Sequence, residues 1–230
     1  MYRYIRRHYL TCEVIWDTVK DELRMFRDLM IFLESDWRRQ WNPFVVATDA
    51  SEAGWGISGA YWERSRVADV GRVTERSRFK RMVGRSARDH ALHLAEHGPS
   101  VATSSHVDPD APPEDVWKIR GDFPEVPAEL LRPSLWASKG HGQWQHVEDI
   151  LVLEARALVK GLHRVACSSF GRNVRQLLLV DNMAVSLAFE RRRSTTFRLL
   201  IHIRRFSAIA LAKNIFTATR WVPSELNSAD

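Results

Sequence analysis

Four acidic residues stand where chemistry would be expected of them: Asp49, Glu154, Asp181 and Asp230. Asp49 follows the run Phe44-Val45-Val46-Ala47-Thr48, and Asp181 follows Leu177-Leu178-Leu179-Val180. Such runs read as strands buried in a sheet, and functional groups gather at the carboxyl ends of strands of this kind. Glu154 lies one helical turn from Leu151 and Leu158, on a face that should be covered. A carboxylate taken out of water needs an ion pair, hydrogen bonds or a cation. Two competing readings stay open: Asp49 as no more than a cap for the turn announced by Gly54-Trp55-Gly56, and Glu154 as an edge residue paired with Lys160. Arg156 is a poor partner, because residues two apart on a helix do not face each other. Clustered, the four acids form the hard-oxygen donor set that magnesium prefers. Two such ions can activate a water and stabilise the leaving oxygen of a phosphodiester.

The elements that would position these acids can be read in order. Residues 13–40 carry Ile15, Val19, Leu23, Phe26, Met30, Leu33 and Trp37 at three- and four-residue steps, which predicts a long amphipathic helix. Trp41-Asn42-Pro43 ends it and sets a boundary near residue 42. A hairpin follows, its second strand running from Trp55 to Trp62. Gly142–His146 reads as a third strand, Val147–Val165 as a buried helix, and Gln176–Val180 as a central strand. Short and long helices then lead to a last strand over Ile215–Val222. Pro223 stops it, and Ser224–Asp230 opens an expected further helix. The sequence ends there, in the manner of a fragment.

Between the hairpin and the third strand the composition changes. Residues 63–89 hold nine Lys or Arg against four acids, and residues 106–129 hold seven acids, two bases and five prolines. With few large apolar residues, 63–134 reads as a long, poorly ordered insertion. Its basic half is either a nucleic-acid contact or a solvated charged loop. Across all 230 residues, 45% are hydrophobic, 27% are charged, and the net charge is +6. That excludes wholesale disorder and favours an acidic partner such as nucleic acid. Cys12 and Cys167 have no metal-ligand spacing, and no apolar run is long enough for a membrane span, so an intracellular, reducing setting is expected.

Thr48-Asp49-Ala50-Ser51 with Gly54-Trp55-Gly56, Val152-Leu153-Glu154-Ala155-Arg156-Ala157, Leu178-Leu179-Val180-Asp181-Asn182, and Trp221-Val222-Pro223 with Asn227-Ser228-Ala229-Asp230 together resemble the ribonuclease H domain of retroelement reverse transcriptases. The resemblance covers residues 44–62 and about 135–230. It implies a ribonuclease H-like α/β fold: a five-stranded mixed sheet flanked by helices, here with an N-terminal helix and the long insertion. It also implies hydrolysis of the RNA strand of an RNA/DNA hybrid, with Asp49, Glu154, Asp181 and Asp230 as catalytic acids holding two Mg2+ ions, or Mn2+ in their place. Residues 1–42 would be a connecting segment below a polymerase domain, and 43–230 the nuclease domain. Arg191, Arg192 and Arg193 fall where some members carry a basic substrate-gripping protrusion. The histidine that the family often has before the last acid is missing, since Pro223-Ser224-Glu225 occupies that loop. The alternative expectation is an inactive domain of the same fold that binds nucleic acid or supports a polymerase.

Overall fold

The apolar run ahead of Asp49 forms a buried strand, β1 (Phe44–Ala50), and turns back as β2 (Gly54–Tyr61), with Asp49 opposite Gly56. A computed structural model describes residues 2–32, 36, 38–81, 117–146 and 148–229 of the chain. Leu33, Trp37, Asp230 and the middle of the expected insertion, 82–116, lie outside the described residues. In the insertion's flanks, β3 (Phe79–Arg81) pairs with β4 (Trp117–Ile119) as a separate antiparallel ribbon. The main sheet is completed by β5 (Ala137–Gln143), β6 (Arg175–Val180) and β7 (Phe216–Trp221), in the order β5-β2-β1-β6-β7. Pairing is antiparallel from β5 to β1 and parallel from β1 to β7, which makes the five-stranded sheet mixed, as expected from the sequence.

Both faces are covered, and the alternation along the strands shows how. Val46, Leu178 and Val180 face the helices α4 (Ile150–Ala166) and α6 (Phe197–Ala212), where they meet Leu158, Leu162, Ile203 and Phe206. Val45, Ala47, Leu177 and Leu179 face the other way, toward Trp41, Trp62, Val67 on α3 (Arg64–Gly71), Val126 and Leu131. A short helix, α5 (Met183–Arg191), follows β6. Helix α4 lies close against β1: a Cβ on Gly161 would come within 2.6 Å of Thr48 Cγ2. That approach carries Glu154, two turns earlier on the same helix, to the end of the strand that bears Asp49.

Three expectations change. The N-terminal helix is shorter than 13–40: after α1 (Tyr2–Arg7), α2 runs over Asp17–Leu29 and passes into a single 3-10 turn. Val19 is its one buried residue, while Leu23, Phe26 and Met30 stay exposed; Trp16, just before α2, packs edge-on against Tyr4 and His8 of the preceding segment. The third strand lies earlier than Gly142–His146. It is an exposed, glycine-containing edge strand, and its residues show no burial pattern that periodicity could detect. The described flanks of 63–134 are folded onto the sheet.

Those flanks use buried charge where apolar mass is short. Glu75 is fully buried and Arg220 on β7 is 1% exposed. Arg220 Nε donates to Glu75 Oε1 at 2.7 Å, and its other nitrogens donate to the carbonyls of Val70 and Pro124 at 2.9 and 2.7 Å. Arg78 Nε donates to the second Glu75 oxygen at 2.9 Å, pairs with Glu125, and lies over the rings of Phe123 and Trp221. A composition count registers these residues as loop-forming charge, whereas each ion has its partner and its hydrogen bonds inside the fold. Removing one partner strands the other. Arg220→Met should therefore destabilise the protein by about 3–5 kcal/mol in urea unfolding, and the double variant Glu75→Gln/Arg220→Met should recover part of that loss.

Candidate metal centre

β1 and β6 run side by side and parallel, with Thr48 in register with Val180. The next residue on each chain is an aspartate, so Asp49 and Asp181 arrive together at the carboxyl end of the sheet. Helix α4 begins with Asp149 as its cap, the carboxylate accepting from Leu151 N at 2.9 Å, and presents Glu154 in its second turn. One carboxylate oxygen from each of Asp49, Glu154 and Asp181 lies within 4.8 Å of the others. Among the described residues this is the group of acids that could hold a metal ion.

The neighbours of these acids bear on the competing readings of Asp49 and Glu154. The hairpin turn is closed by Ser51, whose hydroxyl accepts from Gly54 N at 3.2 Å and whose carbonyl accepts from Trp144 Nε1 at 3.0 Å. Lys160 lies 4.4 Å from the Trp55 ring centroid, and Arg156 pairs with Glu148. Glu154 is thus 5% exposed without a salt bridge among the described residues. Its Oε2 is buried with no hydrogen-bond partner there, and so is Asp181 Oδ1. Burial first, and then the charges of Asp181 and Asp49, push the Glu154 carboxyl up to about 8, with only the Ala50 backbone acting the other way. Two orphaned carboxylate oxygens among three acids, with no sulfur or imidazole in the set, fit a hard divalent cation.

Asp181 is held from behind. Asn182 caps α5 by accepting from Val185 N at 3.2 Å, and the Asp181 carbonyl accepts from Trp221 Nε1 at 2.7 Å. Trp221 N in turn donates to Glu75 Oε1 at 3.1 Å, which links the acid to the buried charge network of the insertion's flanks. The chain after β7 is also fastened to β1. Asn227 Nδ2 donates to the Thr48 carbonyl at 3.1 Å, and the Ala229 carbonyl sits 2.1 Å from where a Cβ on Gly56 would be, so no other residue fits opposite Asp49. Asp230 follows directly and lies outside the described residues.

The three arginines divide. All three are exposed, but Arg192, in the left-handed region at φ 55°, also lies 4.8 Å over the Phe206 ring and donates to Thr217 Oγ1. Glu75, Arg220 and Asn227 escaped the sequence reading. The bonds that join Glu75 to Arg220 and Asn227 to Thr48 span 145 and 179 residues, and only Asn227 stood inside a quoted motif.

No protein-family model matches the chain, and no curated protein matches it in sequence. Among solved structures it is similar to the N-terminal RNase H domain of a Mycobacterium tuberculosis protein, determined as a fusion with maltose-binding protein. That alignment has 13% identity and a TM-score of 0.39, covering 81% of this chain and 91% of the other. No helix among the described residues is long and apolar enough to cross a membrane.

The raised Glu154 carboxyl has a consequence for the metal-free protein. Its folded pKa lies above the unfolded value, so the folded state binds the proton more tightly and stability falls as pH rises toward and through about 8. In EDTA, Glu154→Gln should flatten that slope and stabilise the protein at pH 8 by about 1–3 kcal/mol, measured by denaturant unfolding across pH.

Proposed function

We propose that this chain is a metal-dependent endonuclease that hydrolyses the RNA strand of RNA/DNA hybrids, as the ribonuclease H part of a retroelement reverse transcriptase. The observation that carries the reading is the meeting of Asp49, Glu154 and Asp181 at the carboxyl end of two parallel strands, with two of their buried oxygens unsatisfied. The motif resemblance supplies the substrate and the retroelement setting. An upstream polymerase domain joined through residues 1–42 belongs to the same reading.

In it, Asp49, Glu154 and Asp181 hold Mg2+, or Mn2+ in its place, and Asp230 completes a two-ion site. When bound, the ions activate the attacking water and stabilise the departing oxygen of the phosphodiester. The chain's own part is to keep the acids close and to bury Glu154 among them. Glu154, pushed up to about 8, keeps its proton near neutral pH and would have to give it up to serve as a ligand. Trp221 and the cap at Asn182 fix the backbone from which Asp181 projects. The attachment of Asn227 to Thr48 supports Asp230 as the fourth ligand, because it fastens the residues just before Asp230 to the strand carrying Asp49. Arg191 and Arg193 are free to meet phosphates of the hybrid, whereas Arg192 serves the fold as well.

The test is cleavage of a labelled RNA/DNA hybrid by this protein. Cutting should require Mg2+ or Mn2+, stop with EDTA, and fall at least about 100-fold in Asp49→Asn or Asp181→Asn, with the RNA strand alone cut. Cation-independent cutting, or equal rates in the variants, would overturn the assignment. Tight hybrid binding without cutting by any form would instead support the inactive domain.

A further inference from the structure

The other end of α4 carries a second feature that the carboxylate centre does not use. From Glu154 to Arg164 the helix advances about 15 Å, and there it flanks an open groove of roughly 700 Å³ between its last turns and the far ends of β1, β2 and β5. Three cations line it, Lys139, Lys160 and Arg164, and no Asp or Glu does among the described residues. Four aromatic rings stand beside them: Trp55, with Lys160 Nζ 4.4 Å over its ring, and the cluster of Phe44, Tyr61 and Phe170. Phe44 has its centroid 5.1 Å from Tyr61 and 5.6 Å from Phe170, with Lys139 Nζ 5.9 Å over the Phe44 ring. Tyr61 is 67% exposed and Phe170 is 42% exposed, so two large rings face water next to unopposed positive charge.

That pairing selects the occupant. Cations without acids call for a polyanion, and exposed rings call for flat apolar faces repeating along it. A single nucleic-acid strand offers both, because its bases are free to stack while its phosphates track the basic wall. A duplex keeps its bases stacked inside and leaves the rings unused, and an acidic peptide has charge but no bases. We propose that this groove binds single-stranded nucleic acid, with phosphates on Lys139, Lys160 and Arg164 and bases stacked on Tyr61 and Phe170. The groove then grips an unpaired stretch of strand at a distance from the carboxylate centre. Binding there does not depend on the cleavage chemistry.

The test measures binding in EDTA, with cleavage switched off, by fluorescence anisotropy of a labelled oligo(dT) of ~15 nucleotides and of a blunt RNA/DNA hybrid of the same length. Lys139→Gln/Arg164→Gln should weaken oligo(dT) binding at least about tenfold and make its log–log salt dependence shallower by about 1.4, the loss of two single-strand phosphate contacts. Tyr61→Ala/Phe170→Ala should weaken it at least about fivefold with the salt slope unchanged. Blunt-hybrid affinity should stay within about twofold for both pairs. Unchanged oligo(dT) binding, or equal losses on the hybrid, would overturn the proposal. So would a polyglutamate peptide that binds the unmutated protein as tightly as oligo(dT). Should a variant lose cooperative unfolding, photo-crosslinking of 5-iododeoxyuridine-substituted oligo(dT) to the unmutated protein decides instead. Adducts on Tyr61 or Phe170 support the groove, and adducts confined elsewhere reject it. An inactive nuclease centre would leave every one of these readings in place.

Discussion

Three carboxylates held within 4.8 Å of one another repel, and the rest of this structure can be understood as what holds them there. Water would screen that repulsion, but Glu154 is nearly inaccessible, so the cost falls on the fold. Part of it is relieved by protonation, which is why burial and two neighbouring aspartates drive the Glu154 carboxyl so far upward. The remainder is met by rigidity. Parallel pairing of β1 with β6 fixes the two aspartates side by side, and the close seat of Gly161 on Thr48 fixes the helix that delivers the glutamate.

The rigidity is assembled from both sides of the sheet by different means. On the α4 and α6 side it comes from a large aliphatic and aromatic core, the ordinary result of apolar periodicity in helices over a buried sheet. On the other side the apolar layer is supplemented by Glu75, Arg78 and Arg220, an arrangement in which each ion is costly alone and tolerable only with the others. Trp221 joins the two systems. Its backbone N–H meets Glu75 and its indole N–H meets the Asp181 carbonyl, so a segment outside the motif resemblance reaches the back of the metal centre.

How much of this the sequence disclosed follows from the range of each interaction. Asp49, Asp181 and Glu154 could be read because each sits at a fixed step from a dense apolar run, and those runs decide strand, helix and burial locally. The central strands and α4 were legible for the same reason. β5 was misplaced because an exposed edge strand of small and polar residues, Ala137–Gln143, carries no alternation of burial. The flanks at 63–81 and 117–134 looked coreless because their stability lies in pairings such as Glu75 with Arg220, 145 residues apart, which no local window can contain. The arginine corner at 191–193 reads as one unit in sequence, yet the left-handed turn at Arg192 lays that side chain over Phe206.

The bond from Asn227 to the Thr48 carbonyl spans 179 positions of the chain. It makes the order of synthesis matter. A nascent chain can pair β1 with β2 and even dock α4 while still on the ribosome, but the strand bearing the first acid receives its last neighbour only after residue 227 has emerged. A chain made only as far as Asp181 therefore carries three of its acids without yet carrying a finished site.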